Sequence, residues 1–207
     1  MLSVIPERRA QGDGLVCALT FDDGPNGADT VSLLDGLRER GIRAVFAVVG
    51  EQIQSGDGAR VMRRIVGDGH VLCNHSTSFA DMGDWDADRV RRDMVANLDI
   101  IRTAVDDASV PVPFWRAPNG SWGVTAQVAV DLGMQPLDVV HHISDWIDQD
   151  PQVLAERLRQ EMTPGELVLV HDGGGQRSGS VQAVLQVVDE RMAQGWTFTL
   201  PHGAARP

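Results

Sequence analysis

The feature that most constrains this chain is an alternation. Short apolar runs rich in β-branched residues take turns with longer segments whose apolar residues recur at helical spacing. Leu15-Val16-Cys17-Ala18-Leu19-Thr20-Phe21 reads as a buried strand. Residues 29–40 follow as a helix with Val31, Leu33, Leu34 and Leu37 on one side and Gly41 as its stop. Further strands are expected at residues 44–49, 71–72, 113–115, 134–140, 167–170 and 196–200. Helices are expected at 59–68, 86–105, 123–132, 151–162 (with proline in its first turn) and 180–194. Strand then helix, about seven times over, implies a parallel sheet with helices outside it. In one domain spanning residues 1–207, this favours a closed or nearly closed barrel over an open doubly wound sheet. No glycine-rich phosphate loop follows the first strand, which argues against an open nucleotide-binding sheet.

Composition narrows the partners. A net charge of −11 opposes binding to nucleic acid or to an anionic membrane. No run approaches the roughly 20 apolar residues of a membrane helix. The opening Met1-Leu2-Ser3-Val4-Ile5-Pro6 lacks the apolar centre of a signal peptide, so the chain is expected in the cytoplasm, or outside the cell if it is a trimmed mature form. A monomer is expected. Cys17 and Cys73 each sit in an apolar run and read as core thiols, with a disulfide as the alternative.

In an α/β barrel the carboxyl ends of the strands carry the chemistry. Here those ends hold Asp22-Asp23-Gly24-Pro25, Asn74-His75-Ser76, Arg116 with Pro118 and Gly120, Ser144-Asp145-Trp146, and Val170-His171-Asp172 before three glycines. Each is ordinary alone: Asp-Gly-Pro is turn chemistry, a lone histidine is most often structural, and Trp146 suits simple packing. Five strand ends bearing Asp-Asp, His, Arg, Asp-Trp and His together supply metal ligands, a base, an acid, an orienting cation and an apolar wall.

These residues resemble the polysaccharide deacetylase family, the carbohydrate esterases of family 4 with the NodB homology domain, and the resemblance implies an α/β fold that is a distorted, incomplete TIM-like (β/α)7 barrel. Thr20-Phe21-Asp22-Asp23-Gly24-Pro25 matches the first motif. Phe114-Trp115-Arg116-Ala117-Pro118-Asn119-Gly120 matches the arginine motif, with Asn119 where tyrosine is common. Asp145-Trp146 matches the Asp-Trp motif, with His142 where an aspartate is usual, and Leu169-Val170-His171 matches the last. One departure stands out. The family's His-x-x-x-His motif begins at His75 but ends at Phe79, which cannot coordinate a metal.

The resemblance implies a metal-dependent hydrolase that removes acetyl groups from a carbohydrate, either N-acetyl groups of a GlcNAc-containing glycan or O-acetyl groups of xylan. One ligand fewer inclines the expectation toward the more easily cleaved ester. It implies one divalent ion on Asp23 and His75, zinc first, with cobalt, nickel or magnesium as alternatives. His141, Ser78 and Asp81 are candidates to fill the place of the absent histidine. Asp22 is implied as general base oriented by Arg116, and His171 as general acid held by Asp145. The backbone N–H of Asn119 is implied as oxyanion donor, and Trp146 and Leu169 as the acetyl pocket. The alternative is an impaired, glycan-binding pseudoenzyme.

Overall fold

The computed structural model describes residues 2–204. The elements run β1 (Val16–Gly24), α1 (Gly27–Glu39), β2 (Val45–Val48), α2 (Gly50–Ile53), α3 (Gly58–Gly67), β3 (Val71–Asn74), α4 (Ala87–Val105), β4 (Phe114–Trp115), α5 (Thr125–Asp131), β5 (Gln135–Pro136), β6 (His141–His142), α6 (Pro151–Glu161), β7 (Glu166–His171), α7 (Ser178–Ala193) and β8 (Thr197–Thr199). A 3-10 turn, Pro118–Gly120, follows β4.

All strands pair in parallel, in the order β5-β4-β3-β2-β1-β7-β6, with β8 beside the start of β1. β1 is the hub: Thr20–Gly24 pair with β2, while residues 17–22 pair with β7. β5 and β6 form the two edges and do not pair, so the barrel is incomplete, as expected. No helix among the described residues is long and apolar enough to cross a membrane.

Residues alternate between the two faces of each strand. Leu19, Phe21, Phe46, Val48, Leu72, Trp115, Val168 and Val170 pack against the helices, joined by Leu33, Leu34 and Leu37 of α1 and by Val90, Met94 and Ile101 of α4. The inner face carries Ala18, Val45, Ala47, Cys73, Phe114 and Leu167. Helix ends follow local chemistry: Asp86 caps α4 through the Arg89 N–H, and Asp150 caps α6 ahead of Pro151. Both cysteines are free and buried, so the disulfide alternative is excluded. Desolvation pushes the Cys17 thiol up to about 12 and raises Cys73 as well.

The structure corrects one strand expectation and adds two local features that no expectation covered. Residues 134–140 do not form one strand. β5 and β6 are separate two-residue pieces on opposite edges of the sheet, so the chain between them crosses the open seam. Residues 75–79 do not form a helical turn. They are irregular, with Ser76 at φ 71°, because Asp93 of α4 accepts hydrogen bonds from the Ser76 hydroxyl (2.7 Å) and the Thr77 N–H (3.2 Å). The amino-terminal segment, without a predicted role, straps the seam. The Glu7 N–H donates to the Pro136 carbonyl at 2.8 Å, and the Leu167 N–H donates to the Arg8 carbonyl at 3.3 Å, which joins the β5 side to β7.

Candidate active site

The inner face ends in polar residues. Continuing the alternation, Asp22 follows Ala18 and Thr20, His75 follows Cys73, Arg116 follows Phe114, and His171 follows Leu167 and Leu169. All fall on the inner side of the carboxyl ends. Asp23 would face the helices, but the register between β1 and β2 shifts between Asp22 and Gly24, and Asp23 adopts φ 72°. A bulge of this kind re-aims a side chain, and here it brings a second carboxylate to the cleft.

A cleft of about 590 Å³ opens there, lined by Asp22, Asp23, His75, Arg116, Asn119, Trp146, Leu169 and His171, with Asp138, Gly174 and Arg177 also on its wall. Asp145, the remaining residue of the expected acid-base set, is absent from the lining because it lies beneath His171. Asp22 is held by Arg116, whose Nη1 donates to Asp22 Oδ1 at 2.5 Å and to Thr20 Oγ1 at 3.1 Å, while its Nε donates to the Leu137 carbonyl at 3.2 Å. Both partners are buried, and such a charge-assisted pair fixes the carboxylate's direction.

His75 is buried, and its Nδ1–H donates to the Arg116 carbonyl at 2.9 Å. That bond leaves Nε2 facing Asp23 Oδ1 at 3.4 Å and Asp22 Oδ2 at 3.6 Å. Burial disfavours the imidazolium, but the Asp22 and Asp23 carboxylates outweigh it and raise the His75 pKa. Asp23 is lowered in return: burial opposes its charge, and the His75 contact with the His171 and Arg177 charges prevails. Across the cleft, His171 Nδ1–H donates to Asp145 Oδ1 at 2.8 Å. Asp145 Oδ2 accepts from the His171 N–H at 2.9 Å and from the Ser180 hydroxyl at 2.7 Å. Desolvation works against both charges, and the mutual contact overrides it, raising His171 and lowering Asp145. Trp146 is half exposed and meets the His171 ring edge-on at 5.4 Å between centroids.

The donor set fits a divalent cation in part. A carboxylate and an imidazole converge, and the imidazole's far nitrogen is anchored to a carbonyl, which is how ligating histidines are commonly held. Among the described residues no group of three His, Cys, Asp or Glu forms a complete set. The three candidates for the missing ligand are corrected. His141 is held between Glu161 (2.9 Å) and Glu166 (2.7 Å), so neither ring nitrogen is free. Ser78 and Asp81 do not line the cleft, and Asp81 accepts the Asn119 amide at 2.9 Å. The same amide donates to the Phe79 carbonyl at 3.0 Å. Two of the positions that depart from the family pattern, Asn119 and Phe79, therefore touch, and the Phe79 ring is not part of the cleft lining.

Sequence reasoning missed Arg177, Asp138 and Asp172. Arg177 is buried and donates to the carbonyls of Gly173 (2.7 Å), Asp145 (2.9 Å) and Gly174 (3.2 Å), which binds the glycine loop to the Asp145 backbone. Gly174 must be small, because a Cβ there would sit 2.7 Å from Asp23 Oδ2. Asp172 points the other way, accepts from Thr30 Oγ1 at 2.6 Å, and is pushed up to about 7 by burial. The glycine run signalled a close approach, but nothing local marked Arg177 or Asp138.

The chain is thus an incomplete α/β barrel with two hydrogen-bonded carboxylate pairs, Asp22–Arg116 and Asp145–His171, gathered at the carboxyl ends of its strands. The polysaccharide deacetylase family model matches residues 9–137, and the chain belongs to that family. It is 31% identical over 159 residues to a chitooligosaccharide deacetylase of Rhizobium leguminosarum bv. phaseoli, covering 75% of this chain and 67% of that protein. Among solved structures, a family 4 acetyl xylan esterase from Clostridium thermocellum in complex with a cobalt ion aligns with a TM-score of 0.77 and 27% identity. That alignment covers 89% of this chain and 87% of the esterase. A family 4 pseudoenzyme from Bacillus anthracis shares the fold, with a TM-score of 0.84 at 22% identity over 96% of this chain and 68% of that one.

Proposed function

We propose that this chain is a metal-dependent deacetylase that hydrolyses acetyl groups on a glycan of the chitooligosaccharide, peptidoglycan or xylan type. The observation that carries the reading is the facing arrangement of two charge-held pairs, Asp22–Arg116 and Asp145–His171, on either side of Asp23 and His75. Zinc, or alternatively cobalt, nickel or magnesium, would be held by Asp23 and His75 and would supply Lewis acidity toward an acetyl carbonyl.

The protein groups account for the proton traffic. Asp22 Oδ1 is engaged by Arg116, so Oδ2 is the oxygen that takes the proton from the attacking water. Arg116 holds that carboxylate in line. His171 Nε2 points into the cleft and delivers the proton to the departing amine or alkoxide, while Asp145 keeps the ring charged and oriented. The backbone N–H of Asn119, on the cleft lining, would donate to the oxyanion, and Trp146 with Leu169 would supply the apolar wall for the acetyl methyl group.

The second reading is a glycan-binding protein without turnover, and Phe79 in place of a ligand favours it. Acetate release from chitooligosaccharides and acetylated xylan, with added zinc and again with chelator, separates the two. Chelator-sensitive release supports the enzyme, and binding without any release supports the alternative.

A further inference from the structure

We propose that Asp138 is a specificity residue that accepts a hydroxyl of the sugar flanking the reacting unit, so that the cleft selects an oligosaccharide over a lone acetylated sugar. This rests on the deacetylase reading. Asp138 lies one residue beyond Leu137, whose carbonyl receives Arg116 Nε, so it stands beside the reaction centre and at the seam where the barrel is open. It lines the cleft together with Val139, Asn119 and Gly120. Its backbone is fixed, because the Asp138 N–H donates to the Glu7 carbonyl at 3.0 Å.

The side chain is held at one oxygen only. Arg8 of the amino-terminal strap donates to Asp138 Oδ2 from Nε at 3.2 Å and from Nη2 at 2.6 Å. Among the described residues no donor reaches Oδ1. A carboxylate with one oxygen clamped and the other free on a pocket wall is a pre-aimed acceptor. Its charge is already balanced by Arg8, which suits a neutral hydroxyl donor. The seam is also the direction in which the cleft is least walled by strands, so a glycan can extend there past the reacting sugar. As a clip alone the pair would contribute little, because the Arg8 side chain is 52% exposed.

The test compares kcat and KM for the tetramer of N-acetylglucosamine with those for para-nitrophenyl acetate, which has no flanking sugar. Asp138→Ala is expected to raise the tetramer KM about tenfold, the effect of losing a hydrogen bond to a charged acceptor, with kcat and the aryl acetate rate unchanged. Asp138→Asn keeps an acceptor and should recover most of the loss, and Arg8→Ala should cost no more than a few-fold. Equal losses on both substrates, no loss, or identical behaviour of Asp138→Ala and Arg8→Ala would overturn the assignment. Should the wild type release acetate from neither substrate, the deacetylase reading fails by itself. Calorimetric binding of the tetramer then decides: weaker binding to Asp138→Ala supports the subsite, and equal binding ends it.

Discussion

The two walls of the cleft are built differently. On the β1–β3–β4 side, Asp22, His75 and Arg116 are buried and fixed by one another and by backbone carbonyls. Asn74 beneath them bonds the Met94 carbonyl (3.0 Å) and the Asn97 amide (2.8 Å) of α4. On the β6–β7 side Asp145 and Arg177 lie buried behind the cleft, and the surface facing it is His171 with a half-exposed Trp146, whose ring His142 meets at a tilt with centroids 5.1 Å apart. The first wall is a buried, mutually hydrogen-bonded set of charges. The second is a more open rim. Under the proposed reading, rigidity falls where a carboxylate must point and access where a leaving group would exit.

Perturbing the rigid wall should do most damage. Asp22→Asn removes the proposed base while keeping the Arg116 contact, so turnover should fall by about a hundredfold or more, with the thermal midpoint nearly unchanged. Steady-state acetate release and a melting curve check both halves, and retained turnover would break the comparison. His171→Ala on the open wall should cost at least about tenfold in kcat with little change in KM. Measured on the same substrate, equal KM values separate proton delivery from lost binding.

Next comes packing. A Cβ at Gly173 would sit 1.9 Å from the Asp23 carbonyl, and neither backbone can yield cheaply. Gly173→Ala should lower stability by about 1–3 kcal/mol in denaturant melts. A smaller test lies away from the cleft. His70 is buried, its Nδ1 accepts from the Ala44 N–H at 3.1 Å, and desolvation pushes its pKa down to about 4. The unfolded chain gains a proton near pH 6.5 that the folded chain refuses until about pH 4. The stabilising contribution is therefore whole above pH 6.5 and lost as pH falls through that window. His70→Gln should flatten this part of the stability profile.

Much of this was legible in the sequence. The two-residue alternation along each strand carries Asp22, His75, Arg116 and His171 to one face, and strand ends face one side in such folds, so the cluster could be read from spacing. Asp23 could not, because its direction depends on a bulge set by pairing with β2. The strap, Arg177 and the Arg8–Asp138 pair were also hidden. They rest on contacts between segments more than a hundred residues apart or on carbonyls, which leave no pattern in composition. His141 failed as a ligand because Glu161 and Glu166, brought beside it by the fold, claim both of its nitrogens.

Asp23 and His75 are proposed to hold a divalent ion on which hydrolysis depends. The direct measurement is calorimetric titration of zinc into metal-free protein, alongside acetate release at each point. One ion per chain is expected, with release that rises with occupancy and with both lost in His75→Ala. Undiminished release from the metal-free protein, or zinc binding unaltered by that substitution, would contradict it.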